Sequence, residues 1–186
     1  MTATPPDPGS IRPNGIQPDS IRANSIRANS IRAGEITASP PEQTDAGVYF
    51  IGRVHTPWAT RRDCPRRGDP DHGPLCSIEI EPRWRDALTG IEAHPRIQVL
   101  YWMHEARRDL AVQVPASSGK PMGTFALRSP ARPNPIASSV VTLIRRTGET
   151  LIVRGMDCLD GTPLIDLKPE RGAIEGPRTQ RDRDPS

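Results

Sequence analysis

Two stretches of this chain combine residue types suited to binding a charged ligand. The first is Gly123-Thr-Phe-Ala-Leu-Arg-Ser-Pro-Ala-Arg-Pro-Asn-Pro-Ile136. Pro130, Pro133 and Pro135 each fix φ and push Ser129, Arg132 and Asn134 toward extended geometry, so the loop is stiff. It presents the Arg128 and Arg132 guanidiniums and the Asn134 amide in fixed directions, and a guanidinium gives bidentate donors to a carboxylate or phosphate. The alternative is a proline-rich crossover between strands with both guanidiniums solvated. The second stretch is Arg154-Gly-Met-Asp-Cys-Leu-Asp-Gly-Thr-Pro-Leu-Ile-Asp-Leu-Lys-Pro169. It puts Asp157 at a strand end, Asp160-Gly161 in a turn and Asp166 on the next strand. Asp-Gly is a standard turn pair, which gives Asp160 a turn role. Asp157 and Asp166 can accept from hydroxyls or meet a cation. Asp166 can instead pair with Lys168, two residues on and on the same strand face.

Other chemistries find less support. Cys64, His72 and Cys76, with Asp63, Asp69 and Asp71 nearby, are metal-ligand types, but their spacing matches no compact finger and no bound metal is expected. His55, His94 and His104 stand alone and read as structural or surface histidines. No G-x-G-x-x-G, Walker loop, G-x-S-x-G elbow or H-E-x-x-H occurs. Cys64, Cys76 and Cys158 cannot all pair, which argues for a reducing cytoplasm rather than a disulfide framework.

The elements that must position these residues are strands. Val48 to His55 reads as a first strand stopped by Thr56-Pro57, followed by Ser77 to Glu81 and Ile97 to Met103. Phe125 to Arg128 is a short strand, Val140 to Arg145 and Glu149 to Met156 flank Thr147-Gly148 as a hairpin, and Leu164 to Leu167 closes the set. Only Pro82 to Leu88 looks helical, with Pro at its start and Gly90 past its end. The pattern predicts an all-β fold, a small antiparallel β-barrel or sandwich with one short helix, over residues 47–169.

Outside that span the sequence cannot bury a face. Of 186 residues 34% are apolar, and 22 are proline. Residues 10–34 repeat Ser-Ile-Arg-Ala-Asn with period five, which fits neither helix nor strand, so 1–45 reads as a disordered extension. Residues 170–186 alternate Arg with acidic residues and read as a flexible, disordered polar tail. The longest apolar run, Val99 to Met103, is far short of the roughly 20 residues that cross a membrane, so no membrane partner is expected. Of the 25 basic residues only Lys120 and Lys168 are lysines. That Arg bias suits an anionic partner, although an Arg-preferring genome explains most of it equally well.

Taken in order, Ile51-Gly-Arg-Val-His-Thr-Pro57, Pro65-Arg66, Leu88-Thr-Gly-Ile-Glu92, His104, the Phe125 to Ile136 segment and Asp160 to Pro169 resemble the TsaA-like family. Its TrmO branch methylates N6 of threonylcarbamoyladenosine in tRNA with S-adenosylmethionine. The resemblance implies a β-barrel that binds this cofactor without a Rossmann sheet, a homodimer, and tRNA as substrate. It carries cofactor contacts to Pro65, Arg66 and Arg67; to Met103 and His104; to Arg128 and Ser138; and to Arg154, Gly155, Met156 and Asp157. Arg132, Asn134, Asp166 and Lys168 are the substrate-binding candidates. Three places depart from the family pattern: Arg67 replaces a Gln, His94-Pro95-Arg96 replaces Phe-Ser-His, and Glu170 stands where an aromatic is common. The family's C-terminal domain is expected to be missing, since a polar tail follows Pro169. A barrel that methylates another nucleoside or small molecule, or that senses a ligand without catalysis, is the alternative. The implied reaction moves a methyl from sulfonium to nitrogen, and His104 and Asp157 are the candidates for receiving the proton, with no spacing to choose between them.

Overall fold

The computed structural model describes residues 31–170. Among the described residues there are nine strands: β1 Ile36–Thr37, β2 Gly52–His55, β3 Leu75–Ile80, β4 Arg96–Trp102, β5 Leu110–Gln113, β6 Met122–Gly123, β7 Ile136–Thr147, β8 Thr150–Arg154 and β9 Thr162–Pro169. Six of them close an antiparallel barrel in the order β2-β3-β8-β7-β4-β9, and β1-β5-β6 form a separate three-stranded sheet. The barrel follows from period-two patterning. Val54, Ile78, Ile97, Val99, Val141, Leu151, Val153 and Leu164 alternate inward and are fully buried, which leaves their neighbours for the outer face. Burial of these side chains, roughly 1.5–3 kcal/mol each, is the main favourable contribution to the fold.

The strand order determines where the loops go. Because every barrel pairing is antiparallel, the ends of β2, β4 and β8 and the starts of β3, β7 and β9 share one rim. Three connections therefore meet there: residues 56–74, 103–135 and 155–161. The β5 and β6 strands lie within the second of these. The opposite rim carries the 3-10 helices Pro82–Leu88 and Ile91–Ala93 and the tight β7–β8 turn, where Gly148 supplies φ +61.

Several elements differ from the sequence expectation. Pro82–Leu88 is helical over the expected bounds, in the 3-10 form, since the segment buries only Leu88 and has no side-chain N-cap. Phe125 to Arg128 is not a strand. The Thr124 hydroxyl donates to Leu110 O at 2.6 Å and curls Thr124–Ala126 into a 3-10 turn. The arm expected to be loose over 1–45 enters the described residues at 31, and within it Ile36↔Val112 and Thr37↔Leu110 pair β1 to β5. Glu35-Ile-Thr-Ala-Ser39 keeps the Ile and Ala of the pentapeptide at their places, so β1 is a sixth, degenerate copy. The copies at 10–29 and the tail at 171–186 lie outside the described residues.

Candidate functional site

Asp157 is the polar centre of the rim. Its Oδ1 accepts from Tyr101 Oη at 2.6 Å and from Ser139 Oγ at 2.8 Å, and its Oδ2 accepts from the Gly68 amide at 3.2 Å. The two hydroxyls lie 2.9 Å apart. Tyr101 and Ser139 belong to the inward-facing columns of β4 and β7, so two hydroxyls rise out of an apolar core to meet one carboxylate. Burial, followed by the charge of Asp157 and the bond to it, pushes the Tyr101 phenol well above its ordinary pKa and keeps it a donor.

The loop over residues 61–74 lies directly on this centre. A Cβ at Gly68 would sit 1.8 Å from Gly155 O, and one at Gly155 would sit 2.9 Å from the Pro70 Cα. Gly155 holds φ +110, which L side chains rarely adopt. Both positions therefore require glycine for close approach of two backbones. Arg154 Nη1 donates to Gly73 O at 2.9 Å and fixes the far side of the loop. The consequence is that Pro65, Arg66 and Arg67, all exposed, are brought beside Arg154, Gly155, Met156 and Asp157, although nearly ninety residues separate them in sequence. Met156 is buried in the barrel and contributes packing. Cys64 is half-buried next to this centre, and desolvation, then the charges of Asp157 and Asp63, raise its thiol pKa.

The second connection brings in the proline-rich loop. Met103 N donates to Pro135 O at 2.8 Å, which ties the end of β4 to the start of β7. Arg132 does not point freely at a ligand: its Nη2 donates to Leu127 O at 2.7 Å and to Thr124 O at 3.4 Å, clamping its own loop. Gln113 Nε2, buried, adds bonds to Thr124 Oγ1 at 2.9 Å and Ala131 O at 2.6 Å. On the surface this clamp supports, Arg128 and Asn134 are exposed and Phe125 is 85% exposed. His104 is exposed beside them at the end of β4.

The remaining candidates do not join the Asp157 centre. Ser138 lies on the outer barrel face, where its Oγ accepts from Gln98 Nε2 at 2.8 Å. The inward residue is Ser139, which shares the parity of Val141. Asp166 and Lys168 pair with each other lower on β9. Asp160 occupies its turn, accepting from Thr56 N at 3.1 Å and contacting His55 Nδ1 at 3.2 Å. A concavity of about 300 Å³ opens beside His55, Pro57 and Leu75, and another of about 220 Å³ lies against Gly52 and Pro82; neither borders Asp157. Among the described residues no group of three His, Cys, Asp or Glu is placed to hold a metal ion, and no helix is long and apolar enough to cross a membrane.

The arginines differ in whether a neighbour holds them. Arg96 bonds Asp71, Arg107 bonds Asp109, Arg146 bonds Glu92, and Arg108 stacks over Trp102 at 5.4 Å while donating to Pro133 O. Arg61, Arg62, Arg66, Arg67 and Arg128, all on the rim, have no such partner among the described residues.

Tyr101 and Ser139 are the residues that motif reading missed. For Tyr101 the available signal was parity, since it alternates with Ile97 and Val99; Ser138 and Ser139 both alternate with apolar residues, and only the strand register separates them.

The same arrangement of barrel and loops recurs in known proteins. The crystal structure of TrmO from Pseudomonas aeruginosa superposes with a TM-score of 0.58 at 28% identity, covering 77% of this chain and 65% of that one. The chain thus spans just under two thirds of that solved protein. A probable S-adenosyl-L-methionine-binding protein, VirR, of Rhizobium radiobacter is 50% identical over 131 residues, which is 70% of this chain and 74% of VirR. RcsF of Pseudomonas aeruginosa, named a putative S-adenosylmethionine-dependent methyltransferase, is 35% identical over 127 residues, 64% of this chain and 52% of its own. Residues 53–172 match the model of the tRNA-methyltransferase O N-terminal domain, and the chain belongs to that family.

Proposed function

We propose that this protein is an S-adenosylmethionine-dependent methyltransferase acting on tRNA, with N6 of threonylcarbamoyladenosine as acceptor, and that it works as a cytoplasmic homodimer. The observation that carries the reading is the convergence on one rim of the Asp157 centre with the arginines that no described residue engages. S-adenosylmethionine presents a carboxylate, an ammonium, sugar hydroxyls and a flat base, and the rim has a counterpart for each. Asp157 Oδ2, which takes one donor, has an acceptor position left for an ammonium or a sugar hydroxyl. Arg66, Arg67 and Arg128 offer guanidiniums for a carboxylate. Trp58 and Met103, packed against the core yet partly open, offer apolar surface for a base.

When bound, the cofactor supplies a methyl already activated on a positively charged sulfur. The chain's own contribution is then largely positioning, which can account for much of the rate of a two-reactant transfer. Asp157 is engaged by three donors. His104, exposed and without a hydrogen bond among the described residues, is the side chain with a ring nitrogen free to take the proton that the acceptor nitrogen loses. Arg61, Arg62, Arg66 and Arg67 would meet phosphates, so affinity for tRNA falls as salt rises. Arg132 shapes the loop rather than contacting substrate, and Asn134 is the candidate there that remains free.

The test is mass spectrometry of tRNA nucleosides from cells with and without the gene. Loss of the methylated nucleoside in the deletion strain is expected, and an unchanged methylated pool overturns the assignment of the acceptor. Calorimetry with S-adenosylmethionine tests the cofactor separately. Absence of heat at millimolar ligand overturns that part and favours a barrel that does not catalyse methyl transfer.

A further inference from the structure

A tyrosine and a serine at inward barrel positions need an explanation, because a buried hydroxyl without a partner costs about 1–3 kcal/mol and Phe or Ala fills such positions without that penalty. Tyr101 is 2% exposed, in a column whose other members are Ile97 and Val99. Each hydroxyl carries a single proton, and each lies within hydrogen-bonding distance of Asp157 Oδ1, at 2.6 Å from Tyr101 and 2.8 Å from Ser139. Oδ1 is the member of this triangle that only accepts.

A carboxylate has about four acceptor positions, two on each oxygen. Two hydroxyls fill Oδ1, and the Gly68 amide takes one position on Oδ2. One position remains, on the oxygen that faces the rim loop. Asp157 has rotational freedom about its side-chain bonds in isolation, and the hydroxyl pair removes it by fixing which oxygen faces inward.

We infer that Tyr101 and Ser139 are positioning residues: by filling Asp157 Oδ1 they hold Oδ2 toward the rim, which latches the Gly68 amide and sets the Pro65-Arg66-Arg67 loop in place before any ligand arrives. The hydroxyls act on the loop only through Asp157. The glycine packing of Gly68 on Gly155 gives the loop a seat, but a backbone contact of that kind tolerates sliding, whereas a hydrogen bond to a fixed oxygen selects one register. The functional weight of the latch rests on the cofactor reading above, since the loop it fixes is the one proposed to meet S-adenosylmethionine.

The experiment uses Tyr101→Phe and Ser139→Ala in the full chain, with Ser139→Thr as the conservative variant that keeps the hydroxyl. Amide exchange at Gly68, measured without ligand, is expected to quicken roughly tenfold in the first two and to stay at the wild-type rate in the third. Affinity for S-adenosylmethionine is expected to weaken roughly tenfold in the first two variants. The KM for the cofactor rises with it, while kcat at saturation changes little. Unchanged Gly68 exchange in both Tyr101→Phe and Ser139→Ala overturns the latch, as does wild-type cofactor affinity in both. A wild-type protein that binds no S-adenosylmethionine overturns the cofactor reading instead, and the exchange measurement still decides the latch.

Discussion

The loop at 61–74 is tied down through a carboxylate reached from inside the barrel, whereas the loop at 124–135 is tied down by side chains that bond its own backbone carbonyls and one on a small outer sheet. In the first, one residue serves three partners, and two of those are hydroxyls anchored in the core. In the second, Arg132, Gln113 and Thr124 make local bonds over short sequence separations. Each loop places arginines in solvent, but the first depends on closure of the barrel and the second on a sheet whose outermost strand is a two-residue copy of a repeat. Stiffness at the rim is therefore built from two independent sources, and the two should fail separately.

The largest effect is expected from Gly68→Ala. The added methyl would lie 1.8 Å from Gly155 O, a collision with backbone that only displacement of the loop relieves. Calorimetry should find binding of S-adenosylmethionine below detection, and the melting temperature should fall by several degrees. Affinity like that of the wild type would show that the first loop does not contribute to the site.

Next comes a pair of arginines in the second loop that look alike in sequence. Arg132→Ala removes the clamp on Leu127 O and Thr124 O and should lower stability by about 1.5–3 kcal/mol, read from urea unfolding. Arg128→Ala removes no bond within the described residues, so stability should hold while affinity for S-adenosylmethionine weakens roughly tenfold to a hundredfold. Equal affinity in wild type and the Arg128 variant would remove Arg128 from the site. Equal stability in the Arg132 variant would make the clamp a surface contact.

This pair also shows where reading the sequence succeeds and where it stops. Proline spacing identified a stiff loop, and period-two patterning identified the barrel strands, because both signals are local. The Asp160 turn and the Asp166–Lys168 pair were legible for the same reason. Which arginine faces inward was not legible, since that depends on carbonyls placed by the 3-10 turn at Thr124–Ala126, itself set by Leu110 across the small sheet. Ser138 and Ser139 are adjacent and chemically identical, and only the register of β7 on β4 assigns one to Gln98 and the other to Asp157. The Tyr101–Asp157 bond joins residues far apart in the chain, and nothing in either local sequence announces it.

Alkaline pH gives a smaller effect that probes the barrel side of the comparison. Burial pushes the Cys158 thiol up to about 12 and the Cys76 thiol up to about 11, against an ordinary 9.0. Above pH 9 the unfolded chain releases protons that the folded barrel retains, so stability falls as pH rises from 9 through the folded values. At about pH 10 each thiol should lower stability by about 1 kcal/mol relative to neutral solution. The raised Tyr101 phenol adds in the same direction at higher pH. Urea midpoints at about pH 8 and about pH 10 check this, and a flat response would mean that the thiols are not buried in solution.

The smallest effect concerns the arm, and it separates the outer sheet from the barrel most cleanly. Sequence alone predicts that deleting residues 1–45 leaves the barrel's melting temperature nearly unchanged, because a period of five buries no face. Within the described residues, the arm's strand pairing falls on the small sheet, β1 on β5. β1 contributes two paired residues, Ala38 N donates to Asp109 O at 2.7 Å, and Ile36 remains 58% exposed, so the described part of the arm, residues 31–45, buries little apolar surface. For the described residues 31–45, a few hydrogen bonds worth about 1 kcal/mol each, offset by the entropy of ordering them, leave a net contribution near zero. Deletion should therefore shift the melting temperature by less than about 5 degrees, a shift of about 1 kcal/mol or less. Amide exchange around Val112 should quicken, since β5 loses its partner, while exchange at Gly68 should not change, because Asp157 and its two hydroxyls belong to the barrel. Quickened exchange at both places would show that the loops share one source of stiffness. Unchanged exchange at Val112 would show that β1 leaves β5 in solution, and the second loop would then rest on Arg132, Gln113 and Thr124 alone.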